Sequence, residues 1–316
     1  MNEFDIIAHY FRRAHNASGV VLDNGDDCAI VKLAADERLV FSLDTMVEGV
    51  HFLSDIDPAN LGYRALATAV SDLAAMGASP RWFTLALTLP SLDHDWLAGF
   101  SAGLFELAGH YQMALLGGDT TRGPLTISIQ VHGVVKAGCY LSRANAKVGD
   151  IIAVTGTLGD AAAGLKVALN KLHCDSVSSA YLLSRFERPS PRIAQGQVIV
   201  QFSRCGIDVS DGLLADVGHI AKASGVCALI DASLLPVSKA LSSVGEASQL
   251  TDYQLRGGDD YELCFTVHPE QWSLLQRQFE ENAWALTAIG EIHRGEGVYL
   301  RGQDTADSAV SGFKHF

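Results

Sequence analysis

The placement of the aspartates constrains this chain more than any other feature. Asp26 and Asp27 follow Gly25, Asp44 ends the expected strand Leu39 to Leu43, and Asp119 follows Leu115-Leu116-Gly117-Gly118. Asp208 and Asp211 flank Val209-Ser210, Asp259 and Asp260 follow Gly257-Gly258, and Asp72 stands in a stretch otherwise rich in Ala, Leu and Met. A carboxylate at the end of an apolar strand is costly to bury without a partner. Few Lys or Arg lie nearby to neutralise so many acids. A hard cation held by oxygens answers that demand, since Mg2+ takes a few carboxylates and completes its shell with water and substrate phosphates. The neighbouring glycines let the backbone approach a ligand closely. Taken singly, Asp-Gly pairs also mark turns and helix caps, but a turn does not explain an acid inside the helix around Asp72.

The 316 residues exceed what one hydrophobic core usually serves, so two domains of roughly 150 residues each are expected. Phe4, Ile7, Ala8 and Phe11 repeat at helical spacing, and β-type runs follow at Asp27 to Lys32 and Arg38 to Leu43. Asp57-Pro58 reads as an N-cap and first-turn proline opening a helix that runs to Gly77. Strands are expected at Arg81 to Leu89, Met113 to Leu116 and Leu125 to Val135, with a helix marked by Trp96, Phe100, Leu104 and Leu107. The polar stretch Lys136 to Asp150 separates domain 1–140 from domain 141–316. Beyond it, Ile151 to Thr155 and Gly206 to Val209 read as strands. Helices are expected from Asp160, from Arg192 after Pro189-Ser190-Pro191, and over Leu213 to Ser224. Interleaved strands and helices give an α/β or α+β class. Gly-Gly-Asp occurs at 117–119 and 257–259, a weak hint of related halves.

The charge balance of 23 basic to 36 acidic residues, net −13, argues against nucleic acid and anionic membrane as partners. No run approaches the ~18–20 apolar residues of a membrane span. The acidic start Met-Asn-Glu-Phe-Asp is unlike an export signal. Six scattered cysteines without a C-x-x-C pair read as reduced thiols of a cytoplasmic protein.

The common phosphate-binding signatures are missing. Gly159 to Lys166 nearly matches a P-loop, but Leu165 stands where lysine is needed, and Gly156-Thr157-Leu158-Gly159 misses the dinucleotide spacing. There is no kinase His-Arg-Asp, no Gly-x-Ser-x-Gly elbow and no His-Glu-x-x-His helix. Instead, Ser71-Asp72-Leu73-Ala74-Ala75-Met76-Gly77-Ala78 resembles a helix of the thiamine-monophosphate kinases. Gly25-Asp26-Asp27, Gly117-Gly118-Asp119-Thr120-Thr121, Asp208-Val209-Ser210-Asp211-Gly212-Leu213 and Gly257-Gly258-Asp259-Asp260-Tyr261-Glu262-Leu263 match that family too, in its order and over nearly the whole chain. The wider superfamily contains aminoimidazole ribonucleotide synthase and other ATP-using enzymes.

The resemblance implies transfer of the ATP γ-phosphoryl group to thiamine phosphate on a two-domain, aminoimidazole ribonucleotide synthase-like architecture. Its first domain would bind metal and ATP and form a homodimer, and its second would complete the site. Carried over by motif, Asp27, Ser42, Asp44, Asp72, Asp119, Asp208 and Asp211 hold several Mg2+ ions. Gly118, Asp119, Arg143 and Ser210 contact ATP, and His51, Glu262 and Phe313 face the thiamine phosphate. Tyr111 is open to two readings, a core residue or a platform for adenine. Leu43 replaces the family's Ser or Thr before Asp44, and Asn24 replaces a glycine before Gly25. Other ATP-using members of the superfamily, and a binding protein without turnover, are the alternatives.

Overall fold

A computed structural model describes residues 3–302 and divides the chain into two compact units. Unit 1 comprises Met1–Leu73 with Ala78–Gly138, and unit 2 comprises Ala74–Gly77 with the chain from Cys139 onward.

In unit 1, β1 (Val20–Leu22) and β2 (Ile30–Val31) form a small antiparallel ribbon. The main sheet has the order β3-β6-β4-β5, with β3 (Glu37–Val47), β4 (Ser79–Leu89), β5 (Ala114–Arg122) and β6 (Thr126–Lys136). Among the described residues three α-helices accompany it: α1 (Glu3–Ile6), α2 (Pro58–Ala75) and α3 (His94–His110). Local chemistry starts the two long ones. Asp57 Oδ1 accepts from the Ala59 and Asn60 amides at 2.9 and 3.1 Å, and Asp93 does the same for Asp95 and Trp96, so orphan first-turn donors are satisfied. Leu73 of α2 meets Gly133 of β6, which puts α2 against the sheet face that carries Val40 and Ser42. On the opposite face, the edge strand β3 shows Leu39, Phe41 and Leu43, which are 40%, 65% and 61% exposed.

Unit 2 is built on six strands in the order β12-β9-β11-β7-β10-β8. They are β7 (Ile151–Thr155), β8 (Cys205–Val209), β9 (Cys227–Ile230), β10 (Glu262–Val267), β11 (Leu286–His293) and β12 (Gly297–Leu300). All neighbours are antiparallel except β9 and β12. Among the described residues seven α-helices join them: α4 (Asp160–Ala168), α5 (Ser176–Glu187), α6 (Ile193–Phe202), α7 (Leu213–Ser224), α8 (Lys239–Ser242), α9 (Ala247–Arg256) and α10 (Pro269–Glu281). β8 and β10 are buried at every residue, and Val154, Ile207, Val217 and Ile289 belong to the core around them.

Several elements differ from the sequence reading. The opening helix widens at Ile7–Phe11 into a π-helical turn, which shifts the buried positions to Ile6, Tyr10 and Phe11. The run Asp27 to Lys32 shortens to β2, so Asp27 sits in a bend before it. β3 and β5 run past the acids expected to end them, and Asp44 and Asp119 therefore lie inside strands. The two Gly-Gly-Asp triplets have unrelated settings, one within β5 and one in the loop before β10. Among the described residues no helix is long and apolar enough to cross a membrane, and all six cysteines are free.

Candidate active site

In unit 1 the site begins with strand alternation. Ser42 and Asp44, two residues apart on β3, turn to the face that α2 covers, while Leu43 turns to the open face. Ser42 Oγ donates to Asp72 Oδ2 in a short hydrogen bond. The Asp44 carboxyl is pushed up to about 7, first by burial and then by the Asp72 charge. His51 is tied to the end of β3: its Nδ1 accepts from the Val47 amide at 3.0 Å, and its own amide reaches the Val47 carbonyl at 3.0 Å. Asp27, Gly118 and Asp119 are exposed, and Gly118 and Asp119 pair with Leu85 and Ala86 of β4.

A cleft of about 580 Å³ opens in the same unit, lined by Arg13, His15, Phe105 and Gln112 and by Ala114 and Leu115 at the start of β5. The Arg13 guanidinium lies over the Phe105 ring, 5.3 Å from its centroid. Phe105 is the aromatic of this cleft. Tyr111 lies at the C-cap of α3, half-buried, edge-on to His110, and does not line it.

In unit 2, β8 carries Asp208, 3% exposed, into a turn with Ser210 and Asp211. Asp216, in the first turn of α7, accepts from the amides of Ser210 and Asp211, each at 3.1 Å, and so holds that turn. Burial, then Asp208 and Asp211, push its carboxyl up to about 8. The loop before β10 is laid against the same turn. The Asp259 amide donates to the Ser210 carbonyl and the Tyr261 amide to the Val209 carbonyl, both at 2.9 Å. Gly258 is required there, because a Cβ would stand 2.6 Å from the Ser210 carbonyl oxygen. Asp259 and Tyr261 take left-handed φ values of 69° and 50°, a strained pair of the kind found where a loop is over-determined.

Glu262 occupies a different environment from the one expected of a group facing a ligand. It is 0% exposed. Thr155 Oγ1 donates to its Oε2 at 2.6 Å, Arg185 Nη2 to Oε1 at 2.9 Å, Arg192 Nε to Oε2 at 2.7 Å, and Arg192 Nη2 also to Oε1. Beside it, Asp260 accepts from the Gly159 and Ala161 amides at 2.6 and 3.2 Å, and burial pushes its carboxyl up to about 8. Asp160 accepts from Thr157, Ser238 and Tyr181. Arg143 is exposed, with its carbonyl held by Ser224 Oγ at 2.9 Å. Phe313 lies outside the described residues.

Thus Ser42, Asp44 and Asp72 come together in unit 1, and Asp208, Ser210 and Asp211 in unit 2. Among the described residues no three His, Cys, Asp or Glu side chains are gathered into a ready metal cage. Sequence reasoning missed Asp160, Arg185, Arg192 and Asp216, and Asp260, read among the acids of the motifs, is instead held by backbone amides. Asp216, five residues past Asp211, and Arg192, alone after a proline pair, carried a readable signal.

The donor set is one of hard oxygens, which suits Mg2+. Asp44 is raised by burial and then by Asp72, the opposite of what a nearby protein cation produces, so this oxygen pair is one that a divalent ion would suit.

Residues 25–135 match the family model described as "AIR synthase related protein, N-terminal domain", and the two-unit mixed fold is that of this class of enzyme. Over the whole length the likeness is narrower. The chain is 48% identical to the thiamine-monophosphate kinase of Escherichia coli (strain K12), covering 99% of this chain and 98% of that one. It is 34% identical to the one of Bacillus subtilis (strain 168), covering 100% of each. Among solved structures, the thiamine-monophosphate kinase of Stenotrophomonas maltophilia superposes with a TM-score of 0.87 at 43% identity, covering 96% of each chain. AaThiL complexed with AMPPCP and TMP does so at 0.81 and 32%, covering 92% of this chain and 91% of that one. The chain belongs to the thiamine-monophosphate kinase family and is a kinase, a phosphotransferase.

Proposed function

We propose that the protein transfers the γ-phosphoryl group of ATP to thiamine monophosphate, giving thiamine diphosphate and ADP in a Mg2+-dependent reaction. The observation that carries this reading is the full-length relationship to named kinases, joined by the likeness to a relative solved with an ATP analogue and TMP. Phosphoryl transfer asks for positioning and charge neutralisation, with little covalent chemistry from the protein. Asp27, Ser42, Asp44, Asp72 and Asp119 of unit 1 and Asp208 and Asp211 of unit 2 would hold the ions. When bound, Mg2+ supplies the positive charge that lets two polyanionic substrates meet in an acidic protein.

The chain's own groups do the positioning. Ser42 fixes the Asp72 carboxylate, and Asp216 fixes the turn that carries Ser210 and Asp211. The cleft beside Phe105 and Arg13 takes the adenine ring, and β5 leads from Leu115 in its wall to Gly118 and Asp119. Arg143 is a forked donor for ATP phosphate. The acceptor is a phosphate monoester with a second pKa near 6, already largely dianionic at neutral pH, so no general base is required. Its oxygen attacks the γ-phosphorus in line as the bond to the β-phosphate oxygen breaks, and ADP leaves.

We also propose a cytoplasmic homodimer. Leu39, Phe41 and Leu43 form a bare apolar row on an edge strand, the kind of surface that a second copy covers. Six free thiols suit a reducing compartment. Phe41→Asp should halve the mass seen by light scattering, and a monomeric parent protein would reject the dimer. For the reaction, incubation with ATP, Mg2+ and thiamine monophosphate should yield thiamine diphosphate and equimolar ADP, and a chelator should stop it. ADP release without thiamine diphosphate, or no turnover, overturns the reading.

A further inference from the structure

We propose that Arg192 binds a substrate phosphoryl group and that Glu262 is its positioning residue; this rests on the phosphotransferase reading above. The argument starts from the ends of three strands. β10 lies between β7 and β8, with Glu262 opposite Val209 and Cys264 opposite Val154. The last residue of β7, the first of β10 and the turn after β8 therefore share one end of the sheet, where Asp208, Ser210 and Asp211 also lie. Into this end reaches an ion cluster. Glu262 is held by two guanidiniums, Arg185 and Arg192, and Arg185 also lies 3.9 Å from the Asp160 carboxylate.

The two arginines are not equivalent. Arg185 is the inner one, with a side chain 11% exposed, and it is further engaged by the Asp260 carbonyl at 3.2 Å. The Arg192 side chain is 22% exposed, and its Nε and Nη2 are spent on the two oxygens of Glu262. The edge formed by Nη1 and the second Nη2 hydrogen is not used by Glu262. A guanidinium gripped along one edge by a carboxylate is rotationally fixed, so its free edge is pre-organised for a planar or tetrahedral oxyanion. Such a cluster is a poor way to gain stability, because burying charged groups costs about what their pairing returns. The backbone nevertheless makes room for it: at Gly156, φ +56°, a Cβ would stand 2.2 Å from Glu262 Oε1. Arg192 thus places a fixed guanidinium at the sheet end that also carries Asp208, Ser210 and Asp211, and a phosphoryl oxygen is the ligand chemistry that its open edge takes.

Both substrates carry phosphoryl oxygens, so steady-state kinetics with each as the varied substrate identify the source. Arg192→Gln should raise KM for one of them by about 10-fold to 100-fold, the cost of a charge-assisted hydrogen bond. KM for the other should stay within about twofold, and Arg192→Lys should restore part of the loss. Glu262→Gln should raise the same KM by a smaller factor. The double variant should be no worse than Arg192→Gln alone, as expected of a residue that acts through another. If all variants keep both KM values within about twofold and only lower the melting temperature, Arg192 is a structural ion-pair partner and the inference is overturned. Wild-type turnover in the same assays separates that failure from a failure of the proposed reaction.

Discussion

The acids of the two units are buried under opposite rules. In unit 1, Asp44 is raised by burial and by Asp72, an acid shifting an acid. In unit 2, Glu262 is more deeply buried but lies between Arg185 and Arg192, with Thr155 completing its acceptors. The Asp208, Asp211 and Asp216 group sits in the second unit but follows the rule of the first, since burial, and after it Asp208 and Asp211, push Asp216 up to about 8. The contrast teaches how to sort acids in a chain that has many. Carboxylates met by guanidinium are already compensated by the protein. Those raised by burial and by a neighbouring acid have no such compensation from the protein.

Four measurements break or sharpen this contrast. The largest effect is expected at Asp72→Asn, which should lower kcat/KM by about 100-fold or more while leaving the melting temperature unchanged or higher. A variant within tenfold of the parent, roughly 1.4 kcal/mol, would remove Asp72 from the cation-holding set. Next is Glu262→Ala, which strands two arginines and should cost about 3–5 kcal/mol in urea unfolding. A loss under about 1 kcal/mol would show that the clamp is not what keeps that charge buried.

The third is a pH dependence. Asp44 and Asp216 have folded pKa values of about 7 and 8, above the ordinary carboxylate value of 3.8 that applies when the chain is unfolded. Between these limits the folded state binds more protons than the unfolded one, so their contribution is present at low pH and lost as pH rises through about 7 to 8. In chelator, the melting temperature of the parent relative to Asp216→Asn should therefore fall between pH 5 and pH 8, and saturating Mg2+ should reverse the trend. A difference that is flat with pH counts against the shift. The smallest effect is Leu43→Thr, which restores the family's residue on the face away from Asp44 and should change kcat by no more than about twofold.

Where physics is local, the sequence was a good guide. Asp57-Pro58 and its satisfied amides, and the strand-turn-helix at Asp208 to Leu213, follow from neighbours within a few residues. The ordered motifs carried the family. The misreadings are equally specific. Asp44 seemed to end a strand because an acid after a segment with four apolar residues in five looks like a boundary, but pairing with β6 from Glu37 to Val47 carries the strand through it. Glu262 seemed to edge a ligand site because its neighbours in the chain say nothing of Thr155, Arg185 and Arg192, which lie 107, 77 and 70 residues away.

The residues alone determined the alternation of strands and helices, the oxygen chemistry of the acidic motifs and the excess of negative charge, because composition, periodicity and capping act over a turn or two. Only the tertiary structure decided which acid meets which partner. Electrostatic energy depends on distance and burial in space, and chain separation does not encode either. So Asp72 beside Asp44, and Arg192 on Glu262, had to be seen folded to be known.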